Sequence, residues 1–228
     1  MAGRKFNHLF VLGITGGVGA GKSTVLQYLR DAYGAAVIEC DDVGRSLQMK
    51  GGACYEPMLT LFGPDYLQKD GQFDRGKLAR LVYQDPRKKK MLEEIVLPAV
   101  KEEVRSMLQA LDRGEGSALE NVTGSACPAG RGLRLAVIEA ALLIDDHYED
   151  LCDEIWYIYA ADDVRRARLK KSRGYSDERI DRMFAAQRSD ISFRQHTQFT
   201  IDNTSDIVQN TLKQLDRALE ERFKEGSY

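Results

Sequence analysis

Gly16-Gly17-Val18-Gly19-Ala20-Gly21-Lys22-Ser23-Thr24 decides the reading of this chain, because it lies between an apolar run over 9–14 and a helical pattern that begins at Lys22. A glycine-rich turn from strand into helix aims backbone N–H groups at anionic oxygens. A lysine at its end reaches the terminal phosphates, and a serine hydroxyl there can ligate magnesium. Gly17, Val18, Gly19, Ala20, Gly21, Lys22, Ser23 and Thr24 are therefore assigned to a nucleoside triphosphate, with Ser23 also on the metal.

Downstream of the loop, Leu26 and Leu29 share one face of a helix over 22–33, which Gly34 ends. A second apolar run over 35–38 feeds into Glu39-Cys40-Asp41-Asp42. Ligands of an open parallel sheet bind outside the carboxyl ends of its strands, so these acids lie on the same edge as the loop. Asp41 there is suited to accept a hydrogen bond from an incoming hydroxyl and orient it for attack. The alternative is an N-cap for a helix starting near Val43.

Apolar runs over 135–140, 155–160 and 199–202 read as three further strands. Helical patterns over 162–171, 176–188 and 205–223 lie between and after the last two. Alternation of this kind predicts an α/β chain, a three-layer α/β/α fold around a five-stranded parallel sheet, in a single domain over 1–228. Residues 43–112 show helical, charge-rich patterning broken by Gly51-Gly52, Gly63-Pro64, Asp70-Gly71 and Pro86, and read as several short helices inserted between strands. Pro98 is placed in the first turn of a following helix. Arg87-Lys88-Lys89-Lys90 reads as a solvated helix face, with contact to an anionic ligand as the alternative. The glycine-rich stretch 114–134 reads as a surface loop.

Over 165–194 there are ten basic residues against four acidic ones, in a chain whose 33 basic and 35 acidic residues nearly cancel. Arginines that close over a transferring phosphoryl group exclude water and stabilise its charge, so the segment reads as a lid, with a solvent-exposed helical hairpin as the alternative. Arg168, Arg173 and Arg194 are selected from it, and Arg165 and Arg166 are assigned to its scaffold. Glu139, at the end of the third strand, stands where P-loop enzymes keep an acid near the metal and joins Ser23 as a metal candidate, with a strand-end ion pair to a basic neighbour as the alternative.

The charge balance gives no reason to expect a nucleic-acid partner. No run approaches the roughly 20 apolar residues of a bilayer span, and the first seven residues lack an apolar signal core, so the chain is expected in the cytoplasm. Cys40, Cys54, Cys127 and Cys152 lack metal-ligand spacing and are read as reduced thiols. His8, His147 and His196 are scattered, which argues against zinc.

Taken together, these motifs resemble the dephospho-CoA kinases, a family of P-loop kinases. The loop from Thr15 to Thr24 fits the family form. Glu39-Cys40-Asp41 with Arg45 is similar to its Asp-Ala-Asp signature. Ala141-Leu142-Leu143, Asp145, Arg168-Leu169, Gly174-Tyr175-Ser176, Gln187, Arg194 and Ile201-Asp202-Asn203 follow in matching order. The resemblance implies ATP as phosphate donor, Mg2+ as cofactor and the ribose 3′-hydroxyl of dephospho-CoA as acceptor, with Asp41 as base. It implies Thr15, Glu39, Asp41 and Arg45 near the acceptor and Asn203 near the adenine. Glu39, Glu139, Leu97, Ala141 and Ser172 depart from the family pattern. A monomer is the simpler expectation. The alternatives are a P-loop kinase of another small hydroxyl or nucleoside monophosphate substrate, and a nucleotide-hydrolysing switch. The absence of Asn-Lys-x-Asp and Asp-x-x-Gly sequences speaks against the switch.

Overall fold

A computed structural model describes residues 5–115, 122–123 and 134–224 of the chain. Its strands are β1 (Leu9–Thr15), β2 (Ala36–Glu39), β3 (Val122–Thr123), β4 (Arg134–Glu139), β5 (Glu154–Tyr159) and β6 (Phe199–Asp202). The helices are α1 (Lys22–Tyr33), α2 (Cys40–Leu47), α3 (Tyr55–Phe62), α4 (Arg75–Gln84), α5 (Pro86–Arg113), α6 (Asp162–Arg173), α7 (Asp177–Ala185), α8 (Asp190–Gln195) and α9 (Val208–Lys224).

The sheet order is β3-β2-β4-β1-β5-β6, and the last five strands in that order are parallel, as the sequence predicts. β3 is an addition. It lies in the stretch read as a loop, and pairs antiparallel with Val37 and Ile38 of β2. Two β-branched residues suffice to cover the open backbone edge of β2, too short a signal to show as alternation. The rest of 116–133, with Cys127, lies outside the described residues.

Period-two alternation along β1 builds the layers. Leu9 and Val11 face a core closed by α2 and α5, while Phe10, Leu12 and Ile14 face one closed by α1 and α9. α5 joins the sheet to the helical insertion. Its first half packs Leu92, Ile95, Val96 and Ala99 on a small core of Tyr55, Met58, Phe62, Phe73 and Leu78, while its second half sends Val100, Val104, Met107, Leu108 and Leu111 under the sheet.

Pro98 therefore lies inside a 28-residue helix rather than opening a new one. The start is instead Pro86, where Asp85 accepts hydrogen bonds from the N–H groups of Arg87 and Lys88. Helix continuation through Pro98 forgoes one backbone bond, and burial on both sides of it holds the helix together. The basic run sits on this first turn, where Lys89 and Lys90 pair with Glu93 and Glu94 one turn on.

Cys40, Cys54 and Cys152 are buried free thiols, and burial pushes Cys40 up to about 12. Among the described residues, no helix is long and apolar enough to cross a membrane. Leu108 is fully buried between α5 and the sheet. Leu108→Ala is expected to lower stability by about 2–5 kcal/mol in equilibrium urea unfolding.

Candidate active site

β1 ends between β4 and β5, so the loop after it opens at the centre of the sheet's carboxyl edge. Gly21 precedes α1 with φ of +91°, a conformation that only glycine adopts without strain, and a Cβ there would collide with the Asn203 side chain. Asn203 is buried and donates from Nδ2 to the Ala20 carbonyl at 2.7 Å, while its Oδ1 accepts the Thr211 hydroxyl at 2.6 Å. Its carboxamide is thus engaged in holding the phosphate loop from β6 and α9.

A cleft of about 880 Å³ runs over the loop. Gly16, Gly17, Val18, Gly19, Gly21, Lys22 and Ser23 line its floor, Thr15, Glu39, Asp41 and Glu139 one side, and Arg168, Arg173, Gln187 and Arg188 the other. Lys22 Nζ donates to the Gly16 carbonyl at 2.9 Å and pairs with Glu139 Oε1 at 3.4 Å. Glu39 and Glu139 are register partners at the ends of β2 and β4. Burial raises the Glu139 pKa above the ordinary carboxylate range, against the pull of Lys22, and the like charges of Asp41 and Glu39 raise it further.

α2 begins at Cys40, with Glu39 as its N-cap residue, so Asp41 is not a cap. It stands exposed in the first turn of that helix and lines the cleft. Arg45 pairs with Asp42 at 2.8 Å and is not among the residues lining the cleft.

On the opposite side, Arg168 Nη2 reaches the Ser205 carbonyl at 3.5 Å, while its Nη1 is buried with no hydrogen-bond partner. Ser172 turns back on its own helix to the Arg168 carbonyl at 2.7 Å, and Arg173 lines the cleft beside it. Arg194 is held by Asp190 at 2.9 Å and lies over the Tyr159 ring, so the structure does not bring it into the cleft. Arg166 ties α6 to Asp177 and Asp181 of α7, a scaffold role as read from sequence.

Arg165 departs from its scaffold assignment and contacts the phosphate loop, where its Nε donates to the Val18 carbonyl at 2.9 Å. Its spacing three residues before Arg168 and four before Leu169 places all three on one helix face, which was the available signal. Arg188, one of the ten basic residues of the lid segment, clamps both carboxylate oxygens of Asp145, a pairing that sequence spacing does not show.

A central phosphate loop on this sheet, with carboxylates on one flank and arginines on the other, defines the P-loop kinase fold class. A family model described as dephospho-CoA kinase matches residues 10–122. The dephospho-CoA kinase of Symbiobacterium thermophilum is 31% identical over 197 residues, covering 86% of this chain and 75% of that protein. A crystal structure of a Thermus thermophilus protein superposes with a TM-score of 0.71 at 28% identity, over 94% of this chain and 98% of that one. Dephospho-CoA kinase from Campylobacter jejuni shares the fold, with a TM-score of 0.59 at 18% identity over 92% of this chain and 98% of that one. This chain belongs to the dephospho-CoA kinase family.

Two measurements probe this geometry. Asn203→Ala leaves the Ala20 carbonyl and the Thr211 hydroxyl without their partner, and is expected to lower stability by about 1–3 kcal/mol in urea unfolding and to weaken ATP binding by calorimetry. Asp145 titrates below the ordinary carboxylate range because Arg188 bonds its charged form. A depressed folded-state pKa contributes stability that is complete above the unfolded value and lost as pH falls through the folded one. The melting-temperature gap between wild type and Asp145→Asn is therefore expected near neutrality, and to close on acidification below the usual aspartate pKa.

Proposed function

We propose that this chain transfers the γ-phosphoryl group of ATP to the ribose 3′-hydroxyl of dephospho-CoA, producing coenzyme A and ADP. The observation that carries the reading is Asp41, an exposed carboxylate that lines the same cleft as Lys22 and the loop. A phosphate cradle alone serves motors and switches as well as kinases. A carboxylate across from it supplies what a hydroxyl acceptor needs, a group that accepts its proton and orients its oxygen toward the γ-phosphate.

The other parts take roles around this pair. The loop from Gly17 to Thr24 wraps the phosphates, and Lys22 exchanges its Gly16 carbonyl and Glu139 for phosphate oxygens. Arg168 carries a buried N–H without a partner, and a phosphate oxygen would satisfy it. Arg173 lines the same flank, and the segment 165–194 serves as a lid that excludes water from the cleft. Thr15 and Glu39 face the acceptor, with the insertion 43–112 around it and Arg45 reaching it on leaving Asp42; Arg194, paired with Asp190 outside the cleft, steadies the lid, and residues beside Asn203 border the adenine.

The donor set fits Mg2+. Ser23 and Glu139 offer hard oxygen ligands on the cleft wall, and Glu139 is a desolvated carboxylate crowded by like charge that a cation would relieve. Among the described residues no group of three or more His, Cys, Asp or Glu side chains is placed to hold a metal. That suits an ion whose remaining ligands are phosphates and water. When bound, the ion supplies neutralisation of the phosphate charge. Action as a monomer in the cytoplasm completes the reading.

Asp41→Asn tests the reading. Its kcat with dephospho-CoA is expected to fall about a hundred- to ten-thousand-fold while calorimetric ATP affinity stays at the wild-type level. A wild-type kcat in that variant would remove Asp41 as the base.

A further inference from the structure

Gly17 and Val18 form the outer shoulder of the phosphate loop, and two side chains from opposite ends of the arginine-rich segment meet there. Arg165, in the first turn of α6, donates from Nε to the Val18 carbonyl at 2.9 Å and from Nη2 to Gln187 Oε1 at 2.8 Å. Gln187, two residues beyond α7, accepts the Val18 N–H on that same oxygen at 3.2 Å. Both polar groups flanking the Val18 Cα are therefore held by side chains of one segment.

Neither side chain is free to drift. Arg165 Nη1 pairs with Asp162 at 2.9 Å, its guanidinium lies over the Phe184 ring at 4.1 Å, and the side chain is only 12% exposed. Gly17 makes the approach possible, because a Cβ there would stand 2.5 Å from Arg165 Nη2 and 3.0 Å from Gln187 Oε1. A guanidinium is the suitable group at this point, since its rigid fork donates in three directions at once. A lysine would supply the charge without the fork.

We propose that Arg165 and Gln187 are positioning residues for ATP, a clamp that fixes the shoulder of the phosphate loop and ties it to both ends of α6–α7. The clamp acts through loop backbone. With Val18 occupied, the N–H groups left for phosphate are those nearer the start of α1, and Arg168, on the same helix face as Arg165, is set over the loop before nucleotide arrives. Loss of the clamp leaves the acceptor flank, with Asp41 and Glu139, untouched. Its effect belongs to ATP and not to the acceptor.

This inference rests on the reading of the loop as an ATP site, and it is tested by a readout that does not need the acceptor. Arg165→Met keeps a long apolar stem against Phe184 and removes the donors; Gln187→Leu removes the shared acceptor. Titration calorimetry with ATP and Mg2+ is expected to show each single variant about tenfold weaker than wild type, from the loss of hydrogen bonds to a charged group. The double variant is expected to be no weaker than the worse single one, because the two act as one unit. In steady-state assays KM for ATP rises while KM for dephospho-CoA stays at its wild-type value. Wild-type ATP affinity in both single variants, additive losses in the double variant, or equal rises in both KM values would each overturn the clamp. Should Arg165→Met not fold, Gln187→Leu decides alone. A wild-type protein that binds ATP but does not phosphorylate dephospho-CoA would break the acceptor assignment, while the calorimetric comparison would still decide for or against the clamp.

Discussion

The buried hydrogen bond from Asn203 Nδ2 to the Ala20 carbonyl is the point on which the site's geometry turns. The loop before α1 has little regular pairing of its own, with Ala20 N–H to the Gly17 carbonyl as one short turn inside it. A glycine-rich segment of that kind gains shape only from what surrounds it, because its unfolded freedom is large. Asn203 supplies the anchor from β6, Thr211 fixes Asn203 from α9, and the Asn203 N–H bonds the Tyr159 carbonyl at the end of β5. Three elements distant in sequence thus converge on one loop carbonyl, and a phosphate cradle is preformed.

Sheet topology then sorts charge around that anchor. β2 and β4 lie on one side of β1 and end in Glu39 and Glu139, while β5 and β6 lie on the other, and β5 leads into the arginine-bearing α6. A nucleotide seated on the loop would have arginines on one flank and carboxylates on the other. Such preorganised charge acts without reorganising at the moment of reaction. The near-neutral total hides a site strongly polarised across its width.

Much of this was legible in the sequence. The strand–loop–helix unit at 9–33 and the parallel strands declare themselves through local periodicity, and Asp41, Glu139, Arg168 and Arg173 follow because strand ends and helix spacing fix where they stand. What escaped depends on contacts between distant segments. Spacing puts Arg165 on one helix face with Arg168, but that it reaches Val18 while Arg166 reaches Asp177 is settled by the packing of α6 over the loop. The Asn203 anchor needs Thr211 and Ala20 together, and the Asp145 clamp needs Arg188 from 43 residues away. Arg194 is the opposite case, since its pairing with Asp190 follows from i, i+4 spacing and is visible without any fold. Pro98 and β3 show local rules yielding to burial and to an open strand edge.

The central claim is that this cleft joins a phosphate cradle to an oriented ribose hydroxyl of a large acceptor. The most direct measurement offers the purified protein ATP and Mg2+ with dephospho-CoA, shikimate, nucleoside monophosphates and water as competing acceptors, and identifies the products by mass and the site of phosphorylation by phosphorus NMR. Phosphate is expected on the 3′-oxygen of dephospho-CoA, with ADP formed in equal amount and little hydrolysis in its absence. Phosphate appearing on another acceptor in preference, or ATP hydrolysis at the same rate without any acceptor, would contradict it.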